Sequence, residues 1–428
     1  MTARVPPSLF ALLLLLAVAP AAPAAHAPPE TFAAVPGDDF EDEVHFSNGK
    51  VRKGLVVYEN DNVVVLRVGS KDKSYSKLDV EKVVSRTRGL AKVLGLLDGT
   101  NPQDAEALLL VAEEADAAGL DGEAELIRLQ ALIADPDNED AHVALGHKSN
   151  SKGWRFKVGS KWKPFDDWRE YTGKWKERYV FRTSHYDIET DLPLDRAIVT
   201  ALDFERAYRA FCGLLRDELE LKDIGERMQA QIHSDNASYP EPGDGRNGYF
   251  SPGDLMFFVL GKGDVRSTVT HEICHQILYY ATRRTKGARG VIPAWVDEGM
   301  AQYMQLGARN GMNGVLIETG APSIGKFHEH ATHDDPFDLN RMLTMQSSDF
   351  GGGTDTSLKY AQAYTLVHFM LHSSNGKYRD AYFAFLRSAW EGKSSMSHFK
   401  DVLEDELDTD IDDFEKLWIA YVKGTAGA

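Results

Sequence analysis

The sequence predicts an α+β protein, and three observations carry that expectation. Short β-type runs broken by Asn, Asp and Gly fill Glu43 to Arg86. Apolar residues then switch to a three-and-four spacing over residues 90–147. From about Arg178 a small set of strands gives way to helices, the order expected when helices segregate to one side of a sheet. At 428 residues the chain exceeds one ordinary core, so two or three domains are expected. Hydrophobic residues at 43% and charged ones at 26% are the balance of a folded, water-soluble protein. A formal net charge of −17 argues against nucleic-acid backbone or anionic lipid as the main partner, because both require basic surfaces. The basic run Lys161 to Lys176 is interrupted by Trp, Tyr and Asp and reads as a solvated β surface.

Residues 1–25 have the pattern of a signal peptide: Arg4 in the n-region, an apolar stretch from Leu9 to Ala19, and Ala22-Pro23-Ala24 as a cleavage site. No Cys follows that stretch, so a lipid anchor is not expected, and no later segment is apolar enough to insert in a membrane. The mature chain is expected to be secreted or periplasmic. Residues 26–39, rich in Ala and Pro, form a flexible leader. Residues 40–88 are then expected to form a small five-stranded barrel, with turns at Asn48-Gly49, Asn60-Asp61-Asn62 and Gly69-Ser70. An SH3-like or Sm-like module is its nearest comparison, and it carries no catalytic signature.

Residues 89–150 are read as a helical connector. They resemble one tetratricopeptide unit and the start of a second, with Gly119, Ala124, Pro136 and Leu145-Gly146 at that repeat's small, break and packing positions. Stable arrays need about three repeats, so a connector fits better than a peptide-binding array. Residues 151–177 hold Trp154, Trp162 and Trp168 around a Gly159-Ser160 turn, an aromatic hairpin expected to cap the domain that follows. In residues 178–428 the expected order is a strand pair, a helix from Leu194 to Glu220, a strand around Met228, and a hairpin or edge strand before Leu260. A helix from Val265 to about Thr282 comes next, then helices at Leu358–Leu371, Tyr378–Trp390 and Ile411–Val422.

The chemistry centres on "VTHEICHQIL", Val269 to Leu278. Positions four apart on a helix differ by only about 40° around its axis, so His271 and His275 point the same way and can share one cation. Glu272 lies beside them, placed to touch a metal-bound water without binding the metal; this is the H-E-x-x-H arrangement. Val269, Ile273, Ile277 and Leu278 give the helix an apolar face that sets the histidines at the edge of a core. Downstream, "IPAWVDEGMAQYM" opens a second helix with Pro293 at its start and offers Glu298 as a third ligand. Three protein ligands leave one position open, the composition of a catalytic zinc site. Gln302, one turn past Glu298, and Asp297 are candidates to orient the ligands.

"VTHEICHQ" together with "WVDEGMA" resembles the gluzincin metallopeptidases, above all the aminopeptidase-N-like group, which shows V-A-H-E-x-x-H-Q and W-x-x-E-G-x-A. The segment "YAQAYTLVHFML", Tyr360 to Leu371, is similar to one found in exported bacterial proteins with a gluzincin-like peptidase domain. The resemblance spans about the last 250 residues. It implies a zincin-like peptidase domain over 178–428, one Zn2+ per chain on His271, His275 and Glu298, and Glu272 as general base. It also implies a Tyr that steadies the oxyanion, which falls on Tyr360, with Tyr364 one turn on as the rival. The E-K-G that follows this Tyr in the family is absent, and so is the G-x-M-E-N segment that captures a free amine. The resemblance therefore implies peptide or protein hydrolysis and leaves endo- and exopeptidase action both open. The competing expectation is a non-catalytic, zinc-containing scaffold of the cell envelope, with the N-terminal modules meeting a protein partner. An intact Glu272 favours the enzyme, since a structural zinc has no need of it.

The other candidates read as structural. His328, His330 and His333 in "KFHEHATHDD" look like an exposed loop beside the cleft, and His368 and His372 like a helix face packed on aromatics. Cys212 and Cys274 look like two buried thiols. "GGGT" at Gly351 lacks the Lys and the setting of a phosphate loop, and no G-x-S-x-G elbow is present.

Overall fold

The computed structural model describes residues 42–68, 71–158, 160–219, 224, 227–240, 246–263, 265–284, 292–309, 322–333, 335–351 and 355–425. The expected signal peptide and leader, the Gly69-Ser70 turn, Gly159 and residues 352–354 lie outside these. The architecture is mixed α+β, with an N-terminal sheet region and a helical C-terminal part.

The first sheet is antiparallel. It consists of β1 (Asp42–Phe46), β2 (Val51–Glu59), β3 (Val63–Val68), β4 (Lys71–Ser76) and β5 (Val80–Val84), in the order β4-β3-β2-β1-β5. Alternation along β1 to β3 buries Val44, Val56, Val64 and Leu66 in a small core of their own. Asp42 is buried there, and its carboxylate accepts from Val56 N at 2.8 Å. The helices α1 (Arg86–Gly99), α2 (Ala105–Ala117), α3 (Asp121–Ala134) and α4 (Glu139–Ala144) follow. Ser85, Asp104 and Asn138 cap α1, α2 and α4 through their side chains. Glu59 of β2 accepts from Lys77 and from Arg88 of α1, each at 2.6 Å, tying the sheet to the first helix.

The aromatic segment forms β6 (Lys148–Asn150), β7 (Gly153–Val158) and β8 (Lys161–Lys163), then a helix that the sequence pattern had not announced, α5 (Phe165–Thr172). Phe156 is buried between Phe165 and Trp168, and Trp168 meets Tyr179 edge-on at 5.2 Å. This contact, made by α5, joins the aromatic segment to the strand that follows. The boundaries expected at 150 and 178 are not breaks in the packing, however: one continuous core runs from Leu90 to Val422 and includes the connector helices. The reason is that α3 presents small and apolar residues on more than one side. Gly122 passes so close to the next sheet that a Cβ there would lie 1.7 Å from Arg182 O.

The second sheet positions the site. Its strands are β9 (Tyr179–Arg182), β10 (Tyr186–Thr190), β11 (Met228–His233), β12 (Gly248–Ser251) and β13 (Met256–Leu260), in the order β12-β13-β11-β10-β9. Strands β10, β11 and β13 run parallel, with the 26-residue helix α6 (Leu194–Leu219) connecting β10 to the following segment, while β9 and β12 are antiparallel edges. The remaining helices are α7 (Val265–Arg284), α8 (Ala294–Arg309), α9 (Pro322–Thr332), α10 (Leu339–Thr344), α11 (Ser347–Gly351), α12 (Thr356–His372), α13 (Arg379–Trp390), α14 (Met396–Leu407) and α15 (Ile411–Thr425). No helix among the described residues is long and apolar enough to cross a membrane.

Two buried carboxylates clamp the β9–β10 turn from opposite helices. Glu123 of α3 accepts from Ser184 N at 2.8 Å and Ser184 Oγ at 2.6 Å, and Glu205 of α6 accepts from Thr183 Oγ1, His185 N and His185 Nδ1. For Glu205, burial works upward but His185 and the donors outweigh it, and its pKa ends below the ordinary value. For Glu123, burial and then the charge of Glu205 push the pKa up to about 7, against the pull of Ser184. The fold therefore holds that proton more tightly than the unfolded chain, and Glu123 costs stability as pH rises from 4.5 through about 7. Glu123→Gln keeps the acceptor for Ser184 and carries no charge. Its melting temperature is expected to exceed wild type by a few degrees at pH 8 and to match it at pH 4; an equal shift at both pH values would contradict this.

Candidate metal centre

The site is built on two helices packed against each other, α7 and α8, with α7 lying under the edge strand β12. On α7, Val269, Ile273, Cys274, Ile277 and Leu278 are buried, as the apolar face of the motif required. Gln276, fully buried, donates to Gln229 O at 3.0 Å and Leu255 O at 3.3 Å, which pins α7 to the sheet. On α8, Trp295 is buried against Phe385 at 5.8 Å, so the residues after it turn back toward α7. Gly299 accounts for the Gly of "WVDEGMA": a Cβ there would meet Ala363 O at 2.7 Å and Val367 Cγ2 at 2.9 Å, so only Gly lets α8 lie this close to α12.

This packing brings the three expected ligands together. His271, His275 and Glu298 each offer one donor atom, all within 4.8 Å of one another, and no second such group of three His, Cys, Asp or Glu residues forms among the described residues. The two Nε2 atoms are 3.1 Å apart, and Glu298 Oε2 lies 3.4 Å from His271 Nε2 and 3.6 Å from His275 Nε2. Two ligand atoms on a tetrahedral zinc, each about 2.1 Å from it, stand about 3.4 Å apart. Glu298 Oε2 is itself buried without a hydrogen bond, an orphaned anion of the kind a cation satisfies. The donor set of two imidazoles and one carboxylate suits zinc.

The groups behind the ligands fix which nitrogen faces inward. His275 Nδ1 is 2.9 Å from Asp297 Oδ1, and His271 Nδ1 is 3.1 Å from Gln305 Oε1. Gln305 in turn donates to Ser267 Oγ at 2.8 Å. Asp297 thus takes the orienting place expected of it. Gln302 lines the cleft, but the partner of His271 is Gln305, which sequence reasoning missed. Its signal was present: Gln305 lies two turns beyond Glu298 on the same face of α8. The electrostatics match. Burial works to lower the pKa of His275, yet the Asp297 and Glu298 carboxylates drive it well up; burial works to raise that of Glu298, yet the two histidines hold it well down.

Glu272 lines the same cleft and is buried. Burial raises its pKa, with His271 and His275 opposing. It packs directly under β12, where a Cβ on Gly248 would lie 2.7 Å from Thr268 Cγ2 and 2.9 Å from Glu272 Oε1. Gly248 is the second residue that sequence reasoning missed, because the contact joins segments far apart in the chain. Tyr360 also lines the cleft, its ring 6.3 Å from that of His271. Burial, then the charges of Glu298 and Glu272, holds its phenol well above the usual range, so it remains a neutral donor. Tyr364 is fully buried among Tyr303 and His368 and does not line the cleft, which leaves Tyr360 as the candidate.

The other candidates fall elsewhere. His328 and His330 sit on helix α9 and His333 just beyond it, a correction to the expected loop; α9 is amphipathic and buries Phe327 against Trp418. His330 pairs with Asp335 at 3.1 Å. His368 and His372 pack as expected, bonded to Tyr421 and Tyr303 at 2.8 Å each. Cys212 and Cys274 are both buried.

A family described as "Protein of unknown function (DUF1570)" matches residues 265–404, the stretch from the start of α7 into α14 that holds all three candidate ligands, Glu272 and Tyr360. No curated protein matches the chain.

Proposed function

We propose that the chain is an exported zinc metallopeptidase of gluzincin type, with a zincin-like catalytic domain. The observation that carries this reading is the triangle of donor atoms at 3.1, 3.4 and 3.6 Å with Glu272 in the same cleft. His271, His275 and Glu298 would hold the ion. A bound zinc would supply Lewis-acid polarisation of the scissile carbonyl and lower the pKa of a water to about 7. The rest of the work falls to side chains of this protein. Glu272 accepts the proton from the attacking water as the C–O bond forms and passes it to the leaving amine as the C–N bond breaks. Tyr360, neutral and partly buried, donates to the oxyanion. The antiparallel edge strand β12 offers main-chain groups to an extended peptide, and Gly248 lets that strand lie close over Glu272.

The test is metal analysis of the purified chain followed by digestion of a peptide library. About one zinc per chain is expected, with cleavage that a chelator abolishes and added zinc restores. Metal-free protein, or metal-loaded protein inert toward every peptide, would overturn the reading.

A further inference from the structure

The aromatic segment carries charge of the opposite sign to the chain around it. Residues 148–163 hold six Lys or Arg and no Asp or Glu, in a chain whose net charge is −17. They form the sheet β6-β7-β8. One face of that sheet is packed: Trp154 stacks on His142 at 4.4 Å, and Phe156 is buried against Phe165 and Trp168. Alternation along β7 turns Arg155 and Lys157 to the other face. The register sets Lys148 opposite Arg155 and Trp162 opposite Lys157, so all four side chains share it. In agreement, the Lys148 ammonium lies over the Trp162 ring at 4.7 Å. Lys152, in the turn between β6 and β7, stands at the end of this face, and Lys148, Lys152 and Lys157 are exposed. None of these cations pairs with a carboxylate among the described residues, and Arg155 Nε is enclosed without a hydrogen bond. Like charges directly across a strand pair, as Lys148 and Arg155 are, repel one another. The fold itself supplies no counter-charge to this face.

We propose that the β6-β7-β8 face docks the chain peripherally on a bilayer surface rich in anionic phospholipid. The geometry selects that occupant. The face is flat and two strand spacings, roughly 10 Å, across, so a plane of headgroups meets its cations together. A single-stranded nucleic acid, the other polyanion that basic, aromatic sheets bind, stacks its bases on open rings. The ring of Trp162 already carries the Lys148 ammonium. A cluster of about four to eight Lys or Arg is enough to hold a segment at an anionic leaflet. The acidic remainder of the chain does not cancel the attraction, because at physiological ionic strength charges are screened beyond about 8 Å and only the residues facing the surface count. The inference stands apart from the peptidase reading, and neither depends on the other.

The experiment is sedimentation of the full chain with two kinds of vesicle, phosphatidylcholine alone and equal parts phosphatidylcholine and phosphatidylglycerol. Binding to the mixed vesicles is expected to exceed binding to the neutral ones by about tenfold or more, and to fall by about tenfold between low and high salt. Lys152→Glu combined with Lys157→Glu removes the preference with the melting temperature unchanged, since both positions are exposed. Lys377→Glu combined with Lys393→Glu alters the net charge equally at exposed positions outside this sheet, and binds as wild type does. Equal binding to both vesicles, or an equal loss in the two double variants, overturns the proposal. So does displacement of the chain from the mixed vesicles by a single-stranded oligonucleotide or a sulfated glycan at equal charge, which would make a linear polyanion the partner.

Discussion

Glu272→Gln is expected to leave zinc bound and to remove peptide hydrolysis, lowering kcat by about a hundred- to ten-thousand-fold, the range that a general acid–base group contributes. The carboxylate is not one of the three converging ligands, and the amide fills nearly the same space under Gly248, so neither the ion nor the fold has cause to leave. The amide cannot accept the proton of the attacking water or return it to the amine. Loss confined to kcat, with metal content and melting temperature held, is the signature of a group that acts only as the reaction proceeds. Loss of metal in the variant would instead make Glu272 a ligand and refute the assignment. Full activity in the variant would assign the proton transfer to another group.

Where the sequence was legible, one element carried its own pattern. The period of α7 sets two imidazoles on one face and an apolar row on the other, and Val269, Ile273 and Ile277 are buried accordingly. Glu298 was legible because the motif around it constrains packing from several sides: Trp295 enters the core, Gly299 lets α12 approach, and Glu298 is left facing α7. Gln305 and Gly248 were not legible, since their significance lies in contacts between segments that share no local period. The continuity of the core across residues 150 and 178 was hidden for the same reason. Gly122 and Glu123 look like ordinary positions at the start of a helix, yet one lets the connector touch the sheet and the other clamps its turn. Helices α10 and α11, at six and five residues, are too short for a period to show.

The second large effect is expected at α8, and it separates holding the ion from orienting its ligands. Glu298→Ala removes the one anionic corner of the triangle and leaves His271 and His275 with their Nε2 atoms 3.1 Å apart and no shared carboxylate. Two neutral imidazoles on adjacent turns hold a divalent ion weakly. Zinc affinity is expected to fall by more than about 100-fold, beyond the 10- to 100-fold typical for an outer partner. Asp297→Asn probes that outer layer directly. The amide still offers an oxygen to His275 Nδ1 but no charge, so the imidazole becomes a poorer donor, and the loss should stay within about 10- to 100-fold. Competition of each variant against a chelator of known affinity measures both numbers without reference to activity. The order matters more than the sizes. If Asp297→Asn costs more than Glu298→Ala, the carboxylate facing the histidine pair is not the third ligand, and the geometry of α8 must serve some purpose other than completing a zinc site.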